Sequence, residues 1–251
     1  MANDTELLKK RFIELAERSE SQCIYTFTDF LGLLEQSVFR ECERMLSGVR
    51  YELFGGAAQC ERVMVRFGSE ESLGYSVDFP IVCIKAEPKN QKYADRLSHR
   101  DFLGALLNLG IERETLGDIA IIENVGYIFA KEEIAPFIIS ELSRIKHTDV
   151  SLSLCDAPTS ALFKTERRTL QISSERLDAV IARAFSLSRD EAQLLFSRGL
   201  VFASGREITS TSYAPKTDEV ISVRGHGRFI YLGTVGLSRK GKLNVAVDLY
   251  I

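Results

Sequence analysis

The sequence has no C-x-x-C pair and no long apolar run, and these two absences exclude several classes of protein. Its five cysteines are widely spaced and no histidine is placed to complete a metal site, so we expect reduced, mostly buried thiols and no bound metal. No apolar stretch approaches the ~18 residues of a membrane span, and the charged N-terminus lacks the apolar region of a signal peptide. The composition therefore predicts a cytoplasmic protein with no membrane partner.

Sequence motifs of catalysis are also lacking. No G-x-G-x-x-G follows a strand, and His99, His147 and His226 are isolated from one another in the sequence. The triplet HRD at residues 99–101 would need an asparagine five residues after the aspartate to form a kinase catalytic loop, and Leu106 stands there. We therefore expect no catalytic residues, no cofactor and no small-molecule substrate.

Acidic residues are absent from residues 220–247, although the whole chain has a net charge of −3. Residues 1–166 hold 19 Lys and Arg against 27 Asp and Glu, whereas residues 167–251 hold 13 against 8. This split predicts two electrostatically different parts of the chain. The boundary is expected within residues 155–169, where Pro158 and small polar residues interrupt the regular periodicity.

Apolar residues at three- and four-residue steps predict a mostly helical N-terminal domain over residues 1–75. Thr28 is the predicted cap of its second helix. Gly55 and Gly56 predict a turn, and the alternation of apolar and polar residues around Val63 and Val65 predicts a strand after it.

The order of elements over residues 76–157 predicts a ferredoxin-like or RRM-like βαββαβ plait, with both helices on one face of the sheet. On the other face, the strand VGYIFA places Tyr127 and Phe129, and an RRM uses such aromatic pairs to stack bases. Val125 and Ile128 depart from the RRM consensus. Two interpretations stay open: a base-stacking surface, or aromatic side chains packed against the first region.

Residues 170–251 predict two short helices that lead into a small sheet. Ser173 or Ser174 is the predicted N-cap of the first helix, and Ser188 with Glu191 has the S-x-x-E spacing of a capping box at the second. The basic residues gather at helix ends, at a strand exit and in the hairpin tip LSRKGK. Helix N-terminal amides and nearby arginines suit phosphate oxygens, whereas ordinary solvated ion pairs are the alternative for exposed arginines.

Several short motifs in this region resemble the RNA-binding domain named after ribosomal protein S-four. They are R-L-D at residues 176–178, L-S-R at 187–189, A-x-x-L at 192–195 and R-G-x-V at 198–201. The continuation ISVRGHGRF and the upstream segment HRDFLGALLNLGIERETLGDI resemble the YlmH family specifically. The likeness covers essentially the whole chain.

The resemblance implies a multidomain α+β protein with an S-four-type domain (αL motif) at residues 170–251. It implies a non-enzymatic bacterial protein that binds structured rRNA and tRNA on the large ribosomal subunit during rescue of stalled nascent chains. A protein-interaction scaffold for cell division and an accessory to an RNA-modifying enzyme are the alternatives. The residues predicted to bind RNA are Arg176, Ser188, Arg189, Gln193, Arg198, Arg206, Arg224, Arg228, Arg239, Lys240 and Lys242.

Overall fold

The computed structural model describes residues 2–46, 48–158 and 162–251, and the chain divides into two compact units, Met1–Leu162 and Phe163–Ile251. The boundary between the units lies within the segment predicted from Pro158 and its small polar neighbours, so that prediction is confirmed. The fold is α+β with antiparallel sheets, as predicted. The division into domains at 1–75, 76–157 and 170–251 stays a prediction.

The N-terminal part of the first unit combines helices with a three-stranded antiparallel sheet of order β1-β3-β2. The strand predicted around Val63 and Val65 is confirmed as β3. Phe39 is fully buried and packs edge-on against Phe12 and Phe67, with ring centres 5.3 and 6.1 Å away. The elements are α1 (Ala2–Gln22), β1 (Thr26–Phe27), α2 (Leu33–Cys42), β2 (Tyr51–Phe54), β3 (Met64–Phe67) and α3 (Glu70–Leu73).

The prediction that Thr28 caps the second helix is wrong. Helix α2 begins at Leu33, and Gly32 occupies its N-cap position. The hydroxyl of Thr28 donates to the carbonyl of Asp29 at 2.8 Å and accepts the backbone N–H of Val65 at 2.9 Å. Pairing with β3 therefore holds this segment extended and overrides its helical periodicity.

The rest of the first unit is a five-stranded antiparallel sheet with strand order β5-β6-β4-β8-β7. The short strand β7 is additional to the βαββαβ order of the longer elements. Glu123 and Asn124, with φ of 50° and 67°, form the tight turn that was predicted between β5 and β6. The elements are β4 (Ile81–Pro88), α4 (His99–Asn108), β5 (Leu116–Ile122), β6 (Val125–Lys131), α5 (Ala135–Glu141), β7 (Arg144–Ile145) and β8 (Thr148–Cys155).

One face of this sheet is covered, and the other is covered only in part, because Tyr127 there is half-buried and Ser153 is exposed. Helices α4 and α5 pack on one face, where Phe102, Ile128 and Ile138 are fully buried. On the other face, Phe129 is also fully buried and lies in a cluster with residues of the N-terminal part. A Cβ on Gly56 would lie 2.4 Å from the Phe129 ring, which shows how closely the two parts approach. The packing interpretation is therefore correct for Phe129, and this ring is not available to a base.

The second unit is a six-stranded antiparallel sheet of order β11-β10-β12-β13-β14-β9 with two helices against it. Leu177 and Ile181 from α6 and Phe229 from β13 are fully buried in its core. The elements are β9 (Thr165–Ile172), α6 (Leu177–Ala184), α7 (Arg189–Ser197), β10 (Val201–Ala203), β11 (Arg206–Glu207), β12 (Glu219–Val223), β13 (Gly227–Leu237) and β14 (Leu243–Tyr250).

The start of α6 differs from the prediction. The helix begins at Leu177 with Arg176 at the N-cap, so neither Ser173 nor Ser174 caps it. Backbone carbonyls of residues 211 and 213 accept the first helical N–H groups, at 3.3 Å from Asp178 N and 2.8 Å from Leu177 N. These carbonyls satisfy amides that a serine side chain would otherwise serve.

The five cysteines differ in how deeply they are buried. Cys42 and Cys83 are buried, Cys60 and Cys155 are half-buried and Cys23 is exposed, so most thiols are at least partly buried, as expected. Among residues 2–46, 48–158 and 162–251, no helix is long and apolar enough to cross a membrane.

Candidate nucleic-acid interface

One buried carboxylate, that of Asp178, gathers three of the residues predicted to bind RNA. Its side chain is 0% exposed and lies in the first turn of α6. Arg176 donates to it through Nε at 3.1 Å and Nη2 at 3.0 Å, and Gln193 donates through Nε2 at 3.0 Å. Arg189 approaches both carboxylate oxygens at 3.4 Å. We call Arg176, Asp178, Arg189 and Gln193 the Asp178 cluster.

The electrostatics of the Asp178 cluster leave an excess of positive charge. Burial raises the pKa of the Asp178 carboxyl, but hydrogen bonds from Arg176 and Gln193 and the charge of Arg189 outweigh it, so that the pKa is lowered overall. One ionised carboxylate thus faces two guanidinium groups. These remain 38% and 46% exposed for Arg176 and Arg189, so the excess charge lies at the surface.

The second helix of the unit places two members of the cluster through its local sequence. Arg189 is its first residue and Gln193 follows four positions later, on the same helix face. The predicted capping box is confirmed, because Ser188 Oγ accepts the N–H of Glu191 at 3.2 Å and the Glu191 carboxylate accepts Ser188 N–H at 2.8 Å. Ser188 therefore fixes the start of α7, and its exposed side chain stays a predicted RNA contact.

A second group of predicted residues lies where α7 and β12 end. Arg198 follows α7 directly and is exposed, as is Arg224 after β12. The N–H of Arg224 donates to the carbonyl of Leu200 at 2.9 Å, so the two connections are neighbours. Gly225 and Gly227 have φ of 84° and 128°, which a side chain disfavours, so the glycines permit this turn.

Arg228 is half-buried, unlike the exposed arginines. The guanidinium of Arg228 lies 4.2 Å from the ring centre of Tyr250 and 4.8 Å from that of Phe163, so two aromatic rings hold it in place. Arg206 is exposed on β11, next to the predicted turn at Ser204 and Gly205.

The hairpin tip predicted between β13 and β14 is present. Arg239, Lys240 and Lys242 are all exposed there. Ser238 closes the turn, because its N–H donates to the carbonyl of Lys242 at 2.7 Å and its hydroxyl accepts the Lys242 N–H at 2.9 Å. Of the predicted residues, the structure therefore brings together the Asp178 cluster, but it leaves the tip as a separate cationic site on the same unit.

Sequence reasoning missed the residues that hold the arginines in position. The alternative weighed for the exposed arginines was an ordinary solvated pair, whereas the carboxylate that Arg176 contacts is buried and shared with Arg189 and Gln193. Thr211 accepts from Arg176 Nη2 at 3.2 Å, and it comes from a loop 35 positions away. The R-L-D spacing was the available signal for Asp178, whereas Phe163 and Tyr250 carry no local signal for contact with Arg228.

Comparisons with known proteins bear on both units. Residues 76–158 match the family model described as "Putative RNA-binding domain in YlmH", and they coincide with the predicted middle domain. The predicted resemblance to the YlmH family is confirmed. The chain is 29% identical over 226 residues to "Ribosome-associated protein quality control protein P2" of Bacillus subtilis (strain 168), and the match covers 88% of the chain and 86% of that protein.

A solved structure is also similar to part of the chain. It is titled "Cell division protein ylmH from Streptococcus pneumoniae", and the match covers 61% of this chain and 91% of that one at 20% identity. The TM-score of 0.48 is too low for an argument about the fold.

Proposed function

We propose that this chain is a non-enzymatic RNA-binding protein that recognises structured rRNA or tRNA. Its site of action would be the large ribosomal subunit in the cytoplasm, in quality control of stalled nascent chains. The observation that carries the proposal is the Asp178 cluster, in which two arginines and an amide are held in fixed positions with excess positive charge at the surface. Fixed guanidinium groups suit phosphate oxygens in a defined RNA shape.

Similarity supports the same function independently of this geometry. The match to a family of RNA-binding domains lies in the first unit, and the Bacillus subtilis relative is named for ribosome-associated quality control. That relative aligns with 88% of the chain, so the likeness extends over both units.

We also propose a domain architecture for the two units. Residues 76–157 would be a ferredoxin-like plait, since their longer elements follow the order βαββαβ with two helices on one face. Residues 170–251 would be an S-four-type domain, in which α6 and α7 supply the RNA-binding face. We expect no enzymatic activity, because the predicted site residues are cations and amides suited to binding.

The test compares RNA binding of full-length variants across a salt series. Arg189→Ala, Arg198→Ala and Arg224→Ala should each weaken binding to ribosomal or transfer RNA and lower the salt slope by about 0.7–0.9, the value of one phosphate contact. Arg18→Ala, at an exposed arginine on α1, is the matched control and should leave the slope unchanged. Unchanged slopes in all three variants would contradict the proposal.

Recovery of partners from cells separates RNA binding from a scaffold function. Ribosomal proteins should be recovered with the full chain before nuclease treatment and lost after it. Partners that resist nuclease, together with unchanged RNA slopes, would instead favour a protein-interaction scaffold.

A further inference from the structure

An exposed aromatic side chain lies in a cationic loop of the first unit. The Tyr93 loop, residues 89–97, connects β4 to α4. Tyr93 is 78% exposed, whereas large aromatic side chains in folded domains are usually well covered. Lys89, Lys92 and Arg96 flank it and are exposed, and within the described part of the chain none of them forms an ion pair. The Lys92 ammonium lies 5.7 Å from the centre of the Tyr93 ring. The loop therefore presents one ring and three exposed cations to solvent.

The Tyr93 loop is held in one conformation by side-chain amides. Asn90 Oδ1 accepts the N–H of Lys92 at 3.2 Å and caps the short 3-10 turn that carries Tyr93. Asn124, from the turn between β5 and β6, accepts the N–H of Leu97 at 2.8 Å and donates to the carbonyl of Asp95 at 2.9 Å. A loop fixed in this way loses little conformational entropy when it binds a ligand.

The acidic residue of the Tyr93 loop is engaged with its neighbours. The Asp95 carboxylate accepts the N–H of His147 at 3.1 Å, and Thr148 Oγ1 accepts the N–H of Asp95 at 2.8 Å. These bonds tie the loop to the hairpin of β7 and β8. That hairpin adds the exposed cations Arg144 and Lys146, of which Lys146 already pairs with Asp101 at 2.8 Å. Glu123 and Asp149 are exposed at the same end, so the excess of positive charge belongs to the Tyr93 loop itself, where three cations accompany one carboxylate.

The ring of Phe129 on the sheet cannot stack on an RNA base. On the face away from the helices, the N-terminal part covers Phe129, which is fully buried, whereas Tyr127 is half-buried. Yet residues 76–158 match a family of RNA-binding domains. The Tyr93 loop combines the aromatic ring and the cations that binding of single-stranded RNA requires.

We propose that the Tyr93 loop binds an unpaired nucleotide of RNA. The ring of Tyr93 stacks on the base, and Lys89, Lys92 and Arg96 neutralise the adjacent phosphates. An aromatic face among cations fits a splayed-out base, because a base in a duplex is already stacked on its neighbours. This inference rests on the proposed function, and it assigns to the first unit a recognition of single-stranded RNA that is separate from the Asp178 cluster.

The absence of tryptophan from the chain permits a direct test. Tyr93→Trp introduces a single indole, and titration with an RNA stem-loop that has unpaired loop bases should quench its emission. A fully paired RNA duplex should leave the emission unchanged. Leu7→Trp is the control, because Leu7 is 70% exposed on α1 of the same unit. Anisotropy of labelled RNA reports total binding in the same samples.

The results distinguish this inference from the proposed function. Suppose that anisotropy shows RNA binding but the emission of Tyr93→Trp is quenched no more than that of Leu7→Trp. This result overturns the inference and leaves the proposed function standing. Quenching at Tyr93→Trp supports the inference, even if the salt slopes of the Arg189, Arg198 and Arg224 variants prove unchanged. Absence of any RNA binding contradicts both.

Affinity measurements test the role of the ring in the natural sequence. Tyr93→Ala should weaken binding to an unstructured RNA oligonucleotide by about 5- to 100-fold, the effect expected for one stacked base. Tyr93→Phe keeps the ring and should bind like the natural chain. Lys92→Gln should lower the salt slope by about 0.7, and Lys10→Gln on α1 should not. Equal affinities of the Tyr93→Ala and Tyr93→Phe variants, both folded by circular dichroism, would contradict stacking.

Discussion

At the scale of single residues, Asp178 has a position that is unusual for a carboxylate in a cationic surface. Its negative charge reduces the attraction of the surface for RNA. However, it also fixes Arg176, Arg189 and Gln193 through hydrogen bonds that come from α7 and from the residue before α6. Electrostatic attraction and positioning therefore predict opposite effects when this charge is removed.

We expect Asp178→Asn to weaken binding to structured RNA, although the substitution adds one unit of positive charge to the protein. Positioning is lost because an amide cannot accept the same set of hydrogen bonds, whereas Coulomb attraction alone would tighten binding. Equilibrium binding to transfer RNA at two salt concentrations measures the effect, with a non-specific duplex as the reference. Tighter binding to both RNAs would show that Asp178 has no positioning role.

The same residue gives the stability of the protein a defined dependence on pH. The folded pKa of Asp178 lies below its ordinary value of 3.8, so its contribution is present above that value and is lost as the pH falls through the folded pKa. We expect Asp178→Asn to lower the free energy of unfolding by about 1–3 kcal/mol at neutral pH, less than for a fully buried pair because both arginines are partly exposed. In urea titrations, the difference from the natural chain should shrink below about pH 4. A difference that stays constant to lower pH would contradict this linkage.

At the scale of elements, two glycines of the first unit differ in the space around them. A Cβ on Gly126 in β6 would lie 2.2 Å from the ring of Phe102, a fully buried residue of α4. Gly104 lies within α4 itself, and a Cβ there would meet nothing within 4 Å. Close packing explains the first glycine, whereas the second only raises the entropic cost of forming the helix.

These positions form a matched pair of substitutions. Gly126→Ala should destabilise the protein by about 1–3 kcal/mol, because the ring of Phe102 must move in a packed core. Gly104→Ala should stabilise it by about 0.5–1 kcal/mol, because alanine favours the helix and has space. Urea unfolding of both variants measures the two signs in one experiment. Two effects of the same sign would contradict the packing of α4 on β6.

The elements that the sequence predicts correctly are those with local signals. The capping box of Ser188 and Glu191 was predictable because its partners are three residues apart. Strand β9 was not, because most of its side chains are exposed and its partner, β14, lies about eighty residues further along the chain. Likewise, the R-L-D motif indicated Arg176 and Asp178, but only tertiary packing brings Thr211 to the same site.

At the scale of the whole molecule, charge and fold divide the chain at nearly the same place. Residues 1–162 hold 18 Lys and Arg against 26 Asp and Glu, and residues 163–251 hold 14 against 9. The second unit has its own apolar core, built from α6, α7 and the six-stranded sheet. A unit with its own core and most of the predicted phosphate contacts should carry most of the salt-dependent affinity by itself.

We therefore expect residues 163–251, expressed alone, to unfold cooperatively and to bind structured RNA. The slope of log affinity against log salt should be smaller than that for the full chain by no more than about three phosphate contacts, those of Lys89, Lys92 and Arg96, since the cations of the second unit are retained. Residues 1–162 should show a smaller slope, because their net charge is negative. Thermal unfolding by circular dichroism establishes folding first, and RNA titrations from low to physiological salt follow. A folded second unit that is indifferent to ribosomal and transfer RNA at low salt would remove the RNA-binding role from the Asp178 cluster and the hairpin tip together.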